Sequence, residues 1–218
     1  MMNAFTSEVA AERRRDLLHN AAGYRLATSG RRPRRHPRAT ALTVRVRPVR
    51  PADSPLLADL FDRLSPASRL ARFLVAKREL TAAELTYFTD VDHNNHEALI
   101  ATTRLRGEPI GVARFIRDKD NPTAADVAME VADEWQNLGV GSLLAAQLAT
   151  CARRAGVTHF TALMAADNSR SRRLLTKLGT LTEAVRDGTT VSYRVALTMP
   201  ESVPPPRPCA SAVPAGRA

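Results

Sequence analysis

The stretch QNLGVGSLLAAQLAT, Gln136 to Thr150, places two glycines directly ahead of a run of leucines and alanines. A glycine inside a helix costs roughly 1 kcal/mol relative to alanine, so the pattern predicts that Gly139 and Gly141 precede the helix rather than interrupt it. The apolar positions that follow recur with the spacing of one helix face. These positions are Val140, Leu143, Leu144, Leu148 and Cys151. We expect Gly156 to end this helix.

Strand patterns lie on both sides of the predicted helix. Alternating or continuous apolar runs of four to nine residues are typical of strands, and Asp187-Gly188 is typical of a hairpin turn. The strands are predicted over 42–49, 97–105, 110–117, 125–133 and 159–164, with two more around Asp187-Gly188. Further helices are predicted over 53–64, 66–75 and 169–178, and one more begins at Thr81 with Glu84 completing a capping box. The order of elements predicts an α/β protein in which helices cover a mixed sheet.

The two glycines also predict an anion site. The first turn of a helix carries backbone N–H groups without intrahelical partners, and its dipole favours negative charge. Glycines without side chains allow a phosphate to approach those groups closely. A Walker A loop requires Gly-Lys-Ser/Thr, whereas Gly141 precedes Ser142 and Leu143, and a Rossmann loop requires a third glycine where Leu144 stands. Gln-x-x-Gly-x-Gly between a strand and a helix therefore needs another interpretation.

A second motif, NSRSRRLLTKLG (168–179), follows the strand predicted over 159–164. Together the two motifs resemble those of the GNAT acetyltransferase family, Gln/Arg-x-x-Gly-x-Gly/Ala and Asn-x-x-Ala-x-x-Leu-Tyr-x-Lys-Leu-Gly-Phe, in order and in separation. Ser171, Leu175 and Thr180 replace the Ala, Tyr and Phe of the second motif. The resemblance covers residues 43–198. It implies the GNAT fold, a central, mostly antiparallel mixed sheet flanked by helices.

Within the family the sequence is most similar to the catalytic domain of Pat-type protein lysine acetyltransferases. The similar stretches are LSPASRLARFL (64–74), LTAAELTYFTDVDH (80–93), IGVARF (110–115) and ADVAMEVADEWQNLGVG (125–141). The resemblance implies transfer of an acetyl group from acetyl-CoA to a primary amine, with a protein lysine among the acceptors.

The resemblance also implies which residues contact coenzyme A. They are Val131, Ala132, Gln136, Asn137, Leu138, Gly139, Val140, Gly141, Ser142, Asn168 and Ser171. Arginines often occur in the family where Gln136, Asn137 and Leu138 stand, so we expect backbone N–H groups to bind the pyrophosphate. Asn168 is expected to contact the pantetheine arm, and as a helix N-cap it has a second role that is compatible with the first.

Direct acetyl transfer requires a base, because a free lysine with a pKa near 10.4 is mostly protonated at pH 7. The developing oxyanion also needs a donor, for which a backbone N–H of the central strand is suitable. Asp126 and Glu130 lie on one face of the strand predicted over 125–133. The resemblance implies a glutamate at the position of Asp126, and Glu130 is the alternative base. Leu175 stands where many family members carry a tyrosine that protonates the leaving thiolate, and leucine cannot do so.

The basic residues are concentrated near the N-terminus. The chain has 218 residues and a net charge of +10. Residues 1–50 hold twelve arginines and three acidic residues, whereas residues 51–200 hold equal numbers of acidic and basic residues. We expect three parts: a basic extension over 1–41 that is partly helical or disordered, the GNAT domain over 42–199, and a disordered Pro/Ala-rich tail over 200–218.

The composition argues against several other classes. No apolar run approaches the roughly 18 residues of a membrane span, and neither a secretory pattern nor a disulfide framework is apparent, so the cytoplasm is the expected location. His93 and His96 match no standard ligand spacing, so no metal is expected. Aromatic residues make up only 5% of the chain, and basic residues do not alternate with them, so nucleic acid is not the expected partner.

Three alternatives to a protein acetyltransferase stay open. An enzyme of the same fold acting on a small amine would be favoured by an acidic cleft, which the balanced charge of residues 51–200 does not support. A regulatory acyl-CoA-binding domain without catalysis is supported by Asp126 and Leu175, the two departures from the family pattern. A nucleic-acid-binding protein would depend on the arginines of the N-terminal extension.

Overall fold

A computed structural model describes residues 44–198, in which a single seven-stranded sheet forms the centre of the fold. The strands are β1 Val44–Pro48, β2 His96–Thr103, β3 Pro109–Arg117, β4 Ala124–Val131, β5 His159–Ala165, β6 Gly179–Asp187 and β7 Thr190–Leu197. Their order across the sheet is β1-β2-β3-β4-β5-β7-β6, and β4 with β5 is the only parallel pair between these strands. The predicted mixed, mostly antiparallel sheet is confirmed. The extension predicted over 1–41 and the tail predicted over 200–218 lie outside the described residues.

Five α-helices flank the sheet within residues 44–198. They are α1 Ser54–Asp62, α2 Pro66–Phe73, α3 Ala82–Thr89, α4 Val140–Arg154 and α5 Ser169–Leu175. The predicted capping box before α3 is confirmed: Thr81 Oγ1 accepts from the Glu84 N–H at 3.2 Å, and Glu84 Oε2 accepts from the Thr81 N–H at 2.9 Å. None of these helices is long and apolar enough to cross a membrane.

The two largest of three apolar clusters within residues 44–198 lie on opposite faces of the sheet, each under helices. On one face α4 buries Val140, Leu144 and Leu148 against β2 and β3, and Cys151 belongs to this core as a free thiol. On the other face α1 and α3 form a second cluster around Phe61. Because side chains alternate along a strand, β4 contributes Val127, Met129 and Val131 to the α4 side, as its sequence pattern predicts.

The strands β4 and β5 separate soon after they meet. They pair only from Ala124 to Asp126 with His159 to Thr161, and the remaining residues of β4 have no partner on that side. In contrast, β4 pairs with β3 along almost its whole length, from Gly111 opposite Val131 to Arg117 opposite Ala125. The result is a wedge between β4 and β5 that widens toward the carboxyl end of β4, directly before the glycine stretch.

Helix α5 is shorter than its sequence pattern predicts. It ends at Leu175 instead of Leu178, and Gly179 is the first residue of β6 rather than a residue that stops the helix. A Cβ on Gly179 would lie 1.8 Å from the Ala196 carbonyl oxygen. The glycine is therefore required because the backbones of β6 and β7 approach closely, a tertiary constraint that helical periodicity does not reveal.

We predict that His96 makes the fold sensitive to acid. Burial lowers the pKa of His96 to about 4, and the charge of Arg114 acts in the same direction, whereas a histidine in the unfolded chain titrates near 6.5. Between these pH values the unfolded chain binds a proton that the folded chain does not, so the free energy of unfolding falls as the pH drops from 6.5 to 4. The difference corresponds to about 3 kcal/mol.

Urea denaturation between pH 7 and pH 4 measures this contribution. In a His96→Gln variant, the amide oxygen can still accept from Arg114, whose Nη1 lies 3.2 Å from His96 Nε2. The variant should lose less stability than the wild type over this range, because it lacks the titrating group. Parallel pH profiles for the two proteins would contradict the assignment.

Candidate active site

A cavity of about 450 Å³ occupies the wedge and continues along the start of α4. Met129 and Val131 line it from one face of β4, and Glu130 lines it from the other face. The cavity therefore passes through the sheet between β4 and β5, from the side of α5 to the side of α2. A ligand in it would be held by strand, loop and helix at once.

Most of the predicted coenzyme contacts surround this cavity. The lining includes Val131, Gln136, Asn137, Gly139, Gly141, Ser142, Asn168 and Ser171. The predicted contacts Ala132, Leu138 and Val140 do not line it, and Ala132 and Val140 are buried in the two apolar clusters. The two motifs thus come together at one cavity, and the assignment of these residues to coenzyme A stays a prediction.

The loop from Gln136 to Ser142, here called the glycine loop, forms part of the cavity wall and leads into α4. Asn137 and Gly139 adopt positive φ angles of 61° and 93°, which turn the chain sharply into α4. Within residues 44–198, the N–H groups from Asn137 to Ser142 make no well-aligned hydrogen bond to another residue. N–H groups of this kind at a helix N-terminus favour an anion.

The positions of the two glycines differ from the sequence prediction in one respect. Gly139 is the N-cap of α4, as expected, but Gly141 lies inside the first helical turn rather than ahead of it. A Cβ on Gly141 would meet Leu174, Val131 and Met129 at 3.6 to 3.9 Å, ordinary contact distances. The fold itself therefore tolerates an alanine here, and the glycine leaves room in the cavity.

The Gln136 side chain is engaged in the protein. Its Nε2 donates to Asp133 Oδ1 at 2.9 Å, to the Val131 carbonyl at 3.0 Å and toward Ser68 Oγ at 3.2 Å. Its Oε1 accepts from Arg170 Nη1. Gln136 therefore connects β4, α2 and α5 around the cavity, which positions the glycine loop.

Three cations of the cavity wall were missed in the sequence analysis. Arg170 and Arg173 on α5 and Lys177 just after it line the cavity opposite the glycine loop. Their spacing, i, i+3 and i+7, is that of one helix face and was available in the sequence. Positive charge is thus present on the neighbouring helix, although Gln136, Asn137 and Leu138 carry none.

The two carboxylates considered as bases have different surroundings. Glu130 lines the cavity and forms an ion pair with Arg72 of α2, with only 14% and 7% of the two side chains exposed. Asp126 is exposed and lies at the last position where β4 and β5 pair, so it occupies the narrow end of the wedge outside the cavity wall. The Thr161 hydroxyl donates to its carboxylate.

Two residues of the second motif have clear structural positions. Asn168 caps α5, because its Oδ1 accepts from the Ser171 N–H at 3.0 Å, and it also lines the cavity. The expected N-cap is therefore present, and the expected contact with the pantetheine arm stays a prediction. Leu175 is buried with Val191 and Tyr193 under α5, so its side chain points into the core and away from the cavity.

The histidines considered for a metal site contact other groups. His93 Nδ1 lies 2.8 Å from Glu97 Oε1, and His96 accepts from Arg114. Residues 44–198 contain no group of three or more His, Cys, Asp or Glu side chains that could hold a metal ion.

Comparisons with known proteins connect this geometry to one family. The acetyltransferase (GNAT) domain profile matches residues 43–180. Acetyltransferase Pat of Mycolicibacterium smegmatis is 34% identical over 134 residues, 62% of this chain and 40% of its own length. The chain thus spans less than half of that relative. An acetyltransferase of Pseudomonas aeruginosa is 31% identical over 157 residues, 71% of this chain and 84% of its own length. The crystal structure of the GNAT domain of S. lividans PAT superposes with a TM-score of 0.65 at 28% identity, covering 71% of this chain and 90% of the other.

We predict that Arg72 stabilises the fold by neutralising Glu130. Removing one partner of a buried ion pair costs about 3 kcal/mol, because the remaining charge stays in a poorly solvated place. Arg72→Met should therefore lower the free energy of unfolding by about that amount, measured by urea denaturation. Adding Glu130→Gln should recover most of the loss.

Arg173→Met is the matched control, because Arg173 lines the same cavity but pairs with no carboxylate of the described residues. Its free energy of unfolding should change little. A loss in Arg72→Met no larger than in this control would show that the Arg72–Glu130 pair is not a stability determinant.

Proposed function

The chain belongs to the acetyltransferase (GNAT) domain family, and from that premise we propose that it moves an acetyl group from acetyl-CoA to a primary amine. The observation that carries the proposal is the cavity that passes through the wedge between β4 and β5 and ends at the unpaired N–H groups of the glycine loop. A ligand that joins a long thin arm to a pyrophosphate suits this shape, and coenzyme A is such a ligand.

The proposed orientation follows from the charges along the cavity. The pyrophosphate lies against the glycine loop, where backbone donors and the dipole of α4 favour negative charge. Arg170, Arg173 and Lys177 of the facing wall add positive charge. The pantetheine arm then enters the wedge beside Met129 and Val131, and the thioester lies near the narrow end.

The backbone of β4 supplies donors for the thioester. The Ala132 N–H donates to the Ile110 carbonyl of β3 at 3.0 Å. N–H groups alternate in direction along a strand, so those of Met129 and Val131 point away from β3, into the wedge. We infer that one of them polarises the thioester carbonyl and stabilises the oxyanion that develops on it.

Asp126 is the proposed base. The neutral amine attacks the thioester carbonyl carbon, the C–S bond breaks as the tetrahedral intermediate collapses, and the proton of the amine passes to Asp126 directly or through one water. Glu130 is less suited to this role, because its carboxylate is already engaged by Arg72. Coenzyme A leaves as the thiolate, since Leu175 offers no proton.

The surroundings of Asp126 support a macromolecular acceptor such as a protein lysine. Asp126 is exposed at the narrow end of the wedge, and its neighbour Thr161 pairs with Arg194 of β7. The adjoining edge strand β6 is exposed along nearly its entire length, with Leu181 and Val185 among its exposed side chains. A lysine of a docked polypeptide can reach a carboxylate on so open a face.

We predict that Gly141→Ala has opposite effects on stability and on acetyl-CoA affinity. The added Cβ fits without clashes and removes the conformational cost of glycine, so the free energy of unfolding rises by up to about 1 kcal/mol. The same methyl group occupies the space proposed for the ligand, and calorimetric titration should show a loss of affinity on the order of tenfold.

Gln147→Ala is the control, because Gln147 is exposed on α4 away from the cavity. This change should improve the helix and leave acetyl-CoA affinity unaltered. No binding of acetyl-CoA by the folded wild-type chain would refute both the transferase and the regulatory acyl-CoA-binding alternative.

We predict that Asp126→Asn and Glu130→Gln separate the base from the structural carboxylate. Loss of a general base lowers the rate roughly 10²- to 10⁴-fold, so kcat of Asp126→Asn should fall within this range while acetyl-CoA affinity is kept. Glu130→Gln should change kcat much less. The assay follows thiol release from acetyl-CoA with lysine-containing peptides and with small amines as acceptors.

The same assay tests the alternatives. If Glu130→Gln is the inactive variant, the base is Glu130 rather than Asp126. If the wild type binds acetyl-CoA but no acceptor accelerates thiol release, the regulatory acyl-CoA-binding function gains support. Faster release with small amines than with peptides would favour the small-amine enzyme.

A further inference from the structure

The cations on the α5 side of the cavity exceed the negative charge of its wall. Arg170, Arg173 and Lys177 have no carboxylate partner among the described residues. Glu130 is the one acidic residue of the lining, and Arg72 already neutralises it. The glycine loop already provides backbone donors for a pyrophosphate. The additional positive charge on this wall is therefore suited to a ligand that carries more negative charge than a pyrophosphate alone.

The three cations are not equivalent. Arg170 donates to Gln136 Oε1, at the start of the glycine loop next to β4. Lys177 lies at the other end of the loop, where its Nζ is 3.5 Å from Ser142 Oγ. Arg173 lies between them along the helix face. The three cations therefore follow the glycine loop from its β4 end, at Arg170, to its α4 end, at Lys177.

We propose that Lys177 and Arg173, together with the Ser142 hydroxyl, bind the 3′-phosphate of coenzyme A and make the site selective for coenzyme A over carriers that lack this group. The inference rests on the proposed function. Coenzyme A carries its 3′-phosphate on the ribose, on the far side of the pyrophosphate from the thiol. In a ligand whose thioester lies in the wedge and whose pyrophosphate lies on the glycine loop, this phosphate lies beyond the loop, and Lys177 and Arg173 are the cations of the cavity wall that we assign to it.

The chemistry of the group fits the residues. A phosphomonoester has a charge of about −1.5 to −2 at pH 7 and three acceptor oxygens. Arginine donates two parallel hydrogen bonds to phosphate, lysine acts as a point charge, and a hydroxyl completes the shell. These side chains are exposed, so solvent and salt weaken each contact. We therefore expect a preference on the order of tenfold rather than an absolute requirement.

The experiment is calorimetric titration of the full-length chain at low ionic strength with coenzyme A and, separately, with 3′-dephospho-coenzyme A. The wild type should bind coenzyme A on the order of tenfold more tightly. Lys177→Ala and Arg173→Ala should each reduce this ratio by weakening coenzyme A alone, and Lys177→Arg should restore it. Added salt should also reduce the ratio in the wild type.

Arg172→Ala is the matched control. Arg172 is an exposed cation of the same helix that does not line the cavity. Its removal changes the net charge as much as the test variants do, so a general electrostatic effect would appear in it as well. The ratio of the two dissociation constants should stay at the wild-type value.

Each other result has a distinct meaning. Equal binding of the two ligands by the wild type, or equal weakening of both ligands in Lys177→Ala and Arg173→Ala, overturns the 3′-phosphate assignment and leaves the acetyltransferase proposal intact. A ratio lost equally in Arg172→Ala overturns it as well. Failure of the folded wild type to bind either ligand refutes the proposed function, and the 3′-phosphate assignment falls with it.

Discussion

The separation of β4 from β5 after Asp126 is the constraint on which the rest of the site depends. Two strands that stayed paired would satisfy the backbone of β4 on both sides and leave no opening in the sheet. Because they part, the N–H groups of Met129 and Val131 face the cavity, and the chain after β4 turns into α4 with its own donors unpaired. The sheet tolerates this gap because β3 pairs along β4 and β7 pairs along β5. The backbone donors of the site thus lie where β4 and β5 no longer pair with each other.

Charge in the cavity is arranged in two groups that do not neutralise each other. Arg72 and Glu130 form a closed pair on the α2 side, where both side chains are largely buried. The cations of α5 face the glycine loop without a carboxylate of the described residues beside them. An anion that enters is therefore drawn to the loop and α5, while the region beside Glu130 is close to neutral. This difference in charge is consistent with the proposed orientation of coenzyme A, with the pyrophosphate at the loop and the uncharged arm in the wedge.

The sequence predicted the elements of residues 44–198 well, because periodicity and turn residues are local signals. The α4 face, the capping box at Thr81 and the hairpin at Gly188 needed no knowledge of the fold, and the paired motifs located the cavity. The features that the sequence does not predict depend on contacts between residues that are far apart in the chain. A side chain at Gly179 would clash with the carbonyl of Ala196. Glu130 pairs with Arg72, and Gln136 accepts a hydrogen bond from Arg170. Each of these partners is distant in the sequence. The spacing of Arg170, Arg173 and Lys177 indicates a shared helix face. The sequence does not reveal that this face lies opposite the glycine loop.

Asp126 and Glu130 lie on the same face of β4 but have different surroundings. Asp126 and Glu130 are separated by Ala128, so both project to the side of α2, but the wedge is narrow at Asp126 and wide at Glu130. At the wide end there is space for α2, and Arg72 reaches Glu130 from it. At the narrow end β5 stays close, so Asp126 has Thr161 beside it and solvent above it. The carboxylate of Glu130 is engaged by an arginine, whereas that of Asp126 accepts from a hydroxyl and is open to solvent. The opening of the sheet therefore gives two acids of one strand, four residues apart, different surroundings, and the assignment of Asp126 as the base rests on that difference.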